Sequence, residues 1–344
     1  MKITRQAATT LAVDLLESRN TLAENAFLQA YVLVEAELKS HPSHGLQRLP
    51  RILSRIERGL VDPATEGASH WRSEAVLDVD GRKGLGPVVA MAAIKRLQER
   101  ATTTGIALAA IRNANHLGML AYYVEQIAAS GRIGVAMSTS EALVHPHGGT
   151  RAMLGTNPIA IAIPTAGRPL VLDLATSTVS MGKIHHYAAN GMPLPEGWAC
   201  DADGRPTTDA ASAKHGAIAP FGGAKGYGLG MAFELMVAAL AGSALAPDIH
   251  GTLDADFACN KGDVLIAIDI RWAPDLLERL SAYLDLVRAS PPEDPRRPVA
   301  VPGDGAMRRR EKALRDGFDI EPGLWAELNS LSLSNSSLAK GYRK

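Results

Sequence analysis

The sequence predicts an α/β fold with a helical N-terminal region. Residues 5–40 carry apolar side chains at helical spacing, short β-type runs begin near Val76, and those runs alternate with further helical stretches. Arg5 to Ser40 reads as two helices. The second is opened by Thr21 with Glu24 three residues on, the reciprocal spacing by which a side-chain pair satisfies free N–H groups at a helix start. The loop His41-Pro42-Ser43-His44-Gly45 then leads into a helix from Leu46 to Arg58, which Gly59 and Pro63 terminate. Strands are expected at Ile106–Ile111, Ile133–Ser138, Pro158–Ile163, Pro169–Leu174 and Val264–Ile270, and helices at Pro87–Arg100, Gly118–Ala129 and Gly226–Leu240. Several strands are near-continuous apolar runs, which implies burial on both faces and leaves the pairing direction open. Asn190 to Ala219, rich in Gly, Pro, Asp and Thr, is expected to be a long surface excursion near the active site or a subunit contact. Ser290 to Pro302 reads as a proline-rich linker, Met307–Asp316 as a charged helix and Leu331–Lys344 as a frayed tail.

Composition excludes several function classes. At 344 residues the chain has room for a sizeable core in two or three domains or one interwoven unit. Lysine plus arginine balance aspartate plus glutamate at 36 each, so no net field favours a nucleic acid or an anionic membrane. Two cysteines, Cys200 and Cys259, are too few for a disulfide framework and fit a reducing compartment. Met1–Leu16 lacks the apolar stretch and cleavage site of a secretory leader, and the apolar run Leu229–Ala241 is interrupted by Glu234 and too short for a membrane span. A cytoplasmic protein with no membrane segment is expected.

A few segments hold residues suited to chemistry. Arg48 stands four residues after His44, and a guanidinium fork beside an imidazole pairs a carboxylate anchor with a group that exchanges protons near neutral pH. Spacing alone also admits His44 as a helix cap with Arg48 in solvent. His116, in Asn113-Ala114-Asn115-His116-Leu117-Gly118, follows a strand and precedes a helix; it is either functional or a loop histidine bonded to backbone. The glycine-rich run from Pro220 to Gly230, with Lys225, feeds a helix and resembles a phosphate cradle, although a ligand-free tight turn fits it too. It is neither G-x-G-x-x-G nor a P-loop sequence, and neither pattern occurs elsewhere, so a standard Rossmann or P-loop site is unsupported. Asp173, at a strand end, suits a histidine-orienting role, a ribose contact or the cap of the following helix. His145, His147 and the pair His185-His186 lack any companion metal motif, so no metal is expected.

Read in order, Ser43-His44-Gly45-x-x-Arg48, Asn115-His116-Leu117-Gly118 with Tyr122-Tyr123, Leu154-Gly155-Thr156-Asn157-Pro158, Asp173-x-Ala175-Thr176-Ser177, Gly197-Trp198-Ala199, Pro206-Thr207-Thr208-Asp209, Gly222-Gly223-x-Lys225-Gly226-Tyr227-Gly228 and Pro302-Gly303-Asp304 form a connected pattern. From Leu11 to Gly317 the chain thereby resembles the malate/L-lactate dehydrogenase family that is unrelated to the Rossmann-fold lactate and malate dehydrogenases. The resemblance implies an unusual non-Rossmann NAD(P)-binding fold and a homodimer with active sites near the subunit boundary. It implies hydride transfer, with NAD or NADP, at C2 of a small 2-oxo or 2-hydroxy carboxylic acid such as malate, lactate or sulfolactate. Cyclic imino acids (piperideine- or pyrroline-2-carboxylate) are the alternative substrates, and a non-catalytic nucleotide-binding protein is the alternative from another class.

Carried over to matching positions, the resemblance implies His44 or His116 as proton donor, Arg48 as carboxylate anchor and Asp173 as the group that orients or charges the histidine. It implies cofactor contacts from Ser140, Asp173, Leu174, Ala175, Thr176, Ser177, Lys225, Pro302, Gly303 and Asp304. The expected organisation is a helical region with a substrate loop over residues 1–75, packing with the C-terminal segment; an α/β cofactor-binding body over 76–289; and a linker, cofactor-contacting loop and terminal helix with its tail over 290–344. Two departures stand out: Asp304 where many relatives carry Glu, and Ala224 where a larger residue is common.

Overall fold

The computed structural model describes residues 1–341. Helix α1 (Arg5–Glu17) starts where the Thr4 hydroxyl accepts the Ala7 N–H, and α2 (Ala23–Leu38) and α3 (Leu49–Glu57) follow. The expected Thr21–Glu24 capping box does not form. Leu22 precedes the first turn of α2, the Thr21 hydroxyl is buried without a hydrogen-bond partner, and the Thr21 N–H closes the end of α1 on Leu16 O. The connection is too short for Thr21 to serve both helices, and α2 is held by burial of Leu33, Val34 and Leu38 rather than by a cap.

Strands β1 (Ala68–Trp71), β2 (Val76–Asp80), β3 (Ile106–Arg112), β4 (Arg132–Ser138), β5 (Ile159–Ile163), β6 (Leu170–Leu174) and β7 (Gly262–Asp269) form one seven-stranded sheet. Its order is β1-β2-β3-β7-β4-β5-β6, and it begins with Ala68, inside the stretch expected to be helical. Only β2 and β3 run parallel; every other neighbouring pair is antiparallel. The last strand in sequence sits near the centre, with Leu265 of β7 opposite Ala109 of β3 and Ala136 of β4.

Helices α4 (Gly86–Thr104), α5 (Ala121–Ala128), α6 (Met181–Ala189), α7 (Ala224–Ala241), α8 (Pro274–Arg288), α9 (Asp304–Asp316) and α10 (Pro322–Gly341) complete the main elements. Leu265 and Ala267 pack with Leu97 and Tyr123 from α4 and α5, whereas Val264 and Ile266 pack with Val237 and Phe233 from α7. Side chains alternate across a strand, so β7 is covered on both faces, which is why it reads as a continuous apolar run.

The segment from Asn190 to Ala219 is not a loose excursion. Ala199–Cys200, Pro206–Thr207 and Ala217–Ile218 form a small three-stranded sheet, and Leu194, Ala199 and Ile218 share a core with Val144, Leu154 and Ile184. The chain's end also differs from the expected frayed tail. Helix α10 runs through Gly341, because Leu324, Trp325, Leu328 and Leu331 recur at helical spacing and pack onto the N-terminal helices; residues 342–344 of the expected tail lie outside the described residues. Ion pairs of Glu35 with Arg310 (2.7 Å) and Lys39 with Glu125 (2.6 Å) fasten α2 to α9 and α5. Among the described residues, no helix is long and apolar enough to cross a membrane.

Leu328 is fully buried where α10 meets the N-terminal helices. Leu328→Ala is expected to lower the unfolding free energy by ~2–4 kcal/mol in a denaturant titration. A change near zero would mean that α10 contributes nothing to that core.

Candidate active site

The loop between α2 and α3 is shaped by a buried carboxylate. After α2, Ser40 adopts a left-handed φ of 61°, and two short 3-10 turns, Pro42–His44 and Leu46–Arg48, lead into α3. Glu37 reaches back across this loop, where Oε1 accepts the Leu46 N–H at 2.7 Å. A Cβ on Gly45 would lie 2.2 Å from that oxygen, so glycine is demanded here by close approach, not by backbone angle. Burial pushes the Glu37 carboxyl up to about 7, against the opposing pull of the Leu46 N–H.

His44 and Arg48 emerge from this loop into one cavity. His44 Nδ1 lies 2.9 Å from Ser43 Oγ, and Arg48 donates from Nε to Ser43 O at 2.8 Å and from Nη1 to Thr252 O at 3.2 Å. Arg48 is therefore held by backbone carbonyls rather than pointing into solvent. Among the described residues, one hydrogen on Nη1 and both on Nη2 have no hydrogen-bond acceptor, which leaves donors suited to a carboxylate.

His116 arrives from the opposite side. Past β3 the chain turns at Asn113, φ 56°, and Asn115 is clasped by Arg55, whose Nε and Nη2 donate to its Oδ1 at 3.2 and 3.0 Å. Asn115 in turn donates to Lys83 O at 2.7 Å and Gly84 O at 3.0 Å. The Gly118 N–H donates to His116 Nδ1 at 2.8 Å, which puts the proton of the neutral ring on Nε2.

The two imidazoles lie with centroids 5.6 Å apart in a cavity of about 430 Å³ that Arg48 also lines. Burial, then the Arg48 charge, depresses the His44 pKa to about 3, and the same causes hold His116 well below its ordinary value. Burial and the neighbouring Arg51 lower Arg48 to about 10 in spite of Glu141. Glu141, which lines the cavity, is engaged by protein: it accepts the Thr252 N–H at 2.7 Å, the Leu253 N–H at 2.9 Å and the Thr252 hydroxyl. Gln47, Arg51 and His185 also line the cavity and were not singled out for it from the sequence. Arg51 carries a spacing signal, three residues beyond Arg48 within the expected helix Leu46–Arg58; His185 enters the sequence reading only as a metal-ligand candidate.

The other expected site residues are dispersed. Asp173 touches neither histidine. Its Oδ2 accepts the Ala121 N–H at 2.7 Å, so it caps α5, a helix remote in sequence whose own N-terminus has no side-chain cap. That carboxylate is open to solvent on one side but hemmed in by protein elsewhere, and desolvation raises it to about 6. Ser140 lines the cavity and its hydroxyl accepts the Thr156 N–H at 3.2 Å. Leu174 and Ala175 close β6, while the Thr176 and Ser177 hydroxyls are buried and donate to Thr156 O and Val179 O.

Lys225 is exposed at the start of α7 and lies outside the cavity. At that turn the N–H groups of Lys225, Gly226 and Tyr227 bond to Gly222 O, Phe221 O and Gly223 O at 3.4, 2.9 and 3.1 Å. Pro302 accepts the Val171 N–H, and Gly303 and Asp304 line a second pocket of about 260 Å³, where Arg288 grips Asp304 through two 2.9 Å hydrogen bonds. Among the described residues no group of three His, Cys, Asp or Glu side chains is placed to hold a metal.

Glu37 supplies a pH test. Its folded pKa of about 7 exceeds the ordinary 4.5, so the stability it contributes is complete below pH 4.5 and is lost as pH rises through 7. The unfolding free energy of the wild type minus that of Glu37→Gln should fall by ~1–3 kcal/mol between pH 4.5 and 8. A difference that stays flat with pH rejects the buried-carboxyl account.

Comparison with known proteins follows the same lines. The family model for malate/L-lactate dehydrogenase matches residues 3–329. A dehydrogenase structure from Sinorhizobium meliloti superposes with a TM-score of 0.93 at 56% identity, covering 96% of this chain and 98% of that one. L-sulfolactate dehydrogenase of Methanocaldococcus jannaschii is 35% identical over 324 residues, 93% of each chain. Delta(1)-pyrroline-2-carboxylate reductase of Pseudomonas fluorescens is 35% identical over 306 residues, 88% of this chain and 90% of its own. The chain belongs to the malate/L-lactate dehydrogenase family and is an NAD(P)-dependent oxidoreductase of a 2-oxo or 2-hydroxy carboxylic acid.

Proposed function

We propose that the protein interconverts the C2 carbonyl and hydroxyl of a small carboxylic acid with Arg48 as carboxylate anchor, His44 as the proton-transferring group and His116 as a neutral hydrogen-bond donor to the C2 oxygen. The observation that carries this reading is the meeting of a guanidinium with free hydrogens and two imidazoles in one cavity. The division between the histidines follows from their partners. His116 Nδ1 is taken by a backbone N–H, so Nε2–H donates, but a second proton has no place on the ring without breaking that contact. The Nδ1 partner of His44 is a hydroxyl, which turns from donor to acceptor as the ring is protonated. His44 therefore changes charge without losing a partner, giving a proton to the C2 oxygen in reduction and recovering it in oxidation.

Both rings are held neutral by burial and by Arg48. A substrate carboxylate against Arg48 offsets that charge, raises His44 and lets it take up the proton it must give. When bound, the nicotinamide dinucleotide supplies or takes up the hydride. Ser140 and the Thr156–Pro158 turn at the cavity, Asp173 to Ser177, and Gly303 and Asp304 at the second pocket are the residues that would hold it. Gly303 and Asp304 are fastened to the edge strand β6, whose Val171 lines the second pocket and donates to Pro302 O, and Gly303, φ 96°, packs so closely on Val171 that a Cβ would lie 3.1 Å from Val171 O. Exposed Leu229, Leu235 and Met236 on α7 suit a subunit contact in a homodimer.

The direct test follows nicotinamide absorbance with NADH and NADPH across a panel of 2-oxo acids and cyclic 2-imino acids. Turnover of at least one acid is expected, whereas dinucleotide binding without turnover supports the non-catalytic alternative. Arg48→Lys should raise KM by roughly 10- to 100-fold, because an ammonium cannot reproduce the fork. His44→Gln should lose ~10³-fold or more in kcat, and His116→Gln, which keeps an N–H donor, roughly 10- to 100-fold. The reverse order would exchange the roles of the two rings.

A further inference from the structure

We infer that Gln29 is a positioning residue of the active site, acting on Arg48 through an ordered water held in a small cavity beside it. The inference rests on the proposed role of Arg48 and adds a support to that group. Two carboxamides are buried one turn apart on α2, and only the first is bonded to protein. Asn25 donates to Pro63 O at 2.9 Å, whereas the Gln29 side chain, on a residue 3% exposed, has no hydrogen-bond partner among the described residues. Buried side-chain amides are almost always bonded, so this one calls for a partner that is not protein.

Gln29 lines a cavity of about 30 Å³ that adjoins the active site across Arg48, His116 and Thr252, which line both spaces. Its wall also includes Arg55 and the apolar Leu33 and Leu85, with no carboxylate among the described residues. That volume exceeds the roughly 10–15 Å³ that one water requires. The two guanidinium groups are donors only, and each keeps hydrogens that protein does not take up. Arg55 makes four bonds, to Asn115 Oδ1 twice and to Asp254 O and Phe257 O, which leaves one hydrogen on Nη2. Arg48 keeps one on Nη1 and two on Nη2, of which a substrate carboxylate uses two. Gln29 brings the complementary acceptor, its Oε1, but bonds directly to neither arginine. A water closes the gap, accepting N–H groups from Arg48 and Arg55 and donating to Gln29 Oε1. The two cations disfavour a metal ion there, and an empty cavity would leave the amide unsatisfied. For Arg48 the bridge matters because Ser43 O and Thr252 O fix Nε and Nη1 alone. The water fixes Nη2, and with it the plane of the fork before substrate arrives.

The experiment combines a crystal structure of the wild type with kinetics of Gln29→Met, Gln29→Asn, Arg48→Lys and the Gln29→Met/Arg48→Lys double variant on a 2-oxo acid that the wild type reduces. Density for a water within hydrogen-bond distance of Gln29 and Arg48 is expected. Gln29→Met, similar in length but without the amide, should raise substrate KM by roughly tenfold, with kcat and the dinucleotide Kd within about threefold of wild type. Gln29→Asn leaves room for a second water and should recover part of that loss. Because Gln29 acts through Arg48, Gln29→Met should change KM by less than about threefold in the Arg48→Lys background. A merely structural role gives another pattern: a smaller folded fraction lowers kcat and leaves KM as it was. Unaltered KM in Gln29→Met overturns the inference, as does a dry cavity, or an anomalous bromide peak in it after soaking, which would make it an anion site. If Arg48→Lys also leaves KM unaltered, or the wild type turns over no acid, the parent reading falls as well. Should Gln29→Met fail to fold, the wild-type density still decides, since a cavity without ordered water rejects the bridge.

Discussion

The active-site geometry depends on one buried clasp, that of Arg55 with Asn115. The guanidinium gives two hydrogen bonds to the Asn115 carboxamide and two more to the backbone of Asp254 and Phe257, while the carboxamide nitrogen is held by Lys83 O and Gly84 O. Three chain segments far apart in sequence thus meet at one side chain. Helix α3 and the 3-10 turn that precedes it bring Arg51 and Arg48, the strand-end loop brings His116, and the loop after α7 brings Thr252. Asp254 Oδ1 stays 3.9 Å from Nη1, so most of the compensation for the buried charge comes from oriented carbonyl dipoles. Removing either partner would leave several buried polar groups unpaired at once, a cost well beyond the net worth of any single bond in the cluster.

That rigidity sets the electrostatics of the cavity. Burial, then Arg48, His44, the buried Lys261 and Arg51, hold His116 well below its ordinary pKa. An ordinary catalytic histidine, titrating near neutral pH, would already be partly charged before substrate arrived. Under the proposed roles, protonation of His44 would be tied to the anion, since a substrate carboxylate would offset the Arg48 charge that, after burial, depresses it. Binding and proton uptake would then be two aspects of one event.

Much of this was legible in the chain. The central strands declared themselves as apolar runs because both their faces are covered, and Ser43 to Arg48 with Asn115 to Gly118 carried the family resemblance because close contacts dictate their residues: Gly45 has no room for a side chain beside Glu37, and Asn115 must present both ends of its amide. What escaped was set by tertiary partners. Ala68–Trp71 is a short edge strand with no apolar alternation, visible only once β2 pairs with it. Asp173 looked like a histidine partner, but the donor it satisfies belongs to a helix that starts 52 residues earlier. Arg51 carries only its spacing from Arg48 in the sequence; that it lines the same cavity is visible only in the folded structure.

The glycine-rich segment before α7 shows how one sequence signal admits two physical uses. Glycines that let a backbone approach a phosphate also let two pieces of protein approach each other, and the sequence does not distinguish the cases. A Cβ at Gly226 would lie 2.2 Å from Phe221 O, and one at Gly230 would lie 2.9 Å from Thr176 Oγ1. These glycines close a tight turn and seat α7 against the end of β6. Four residues past Gly230, Glu234 is buried and accepts hydrogen bonds from the Gly155 N–H, the Asn157 amide and the Ala246 N–H. The helix thus braces from behind the Thr156–Pro158 turn that lines the cavity, so the glycines that seat α7 also fix the position of that turn.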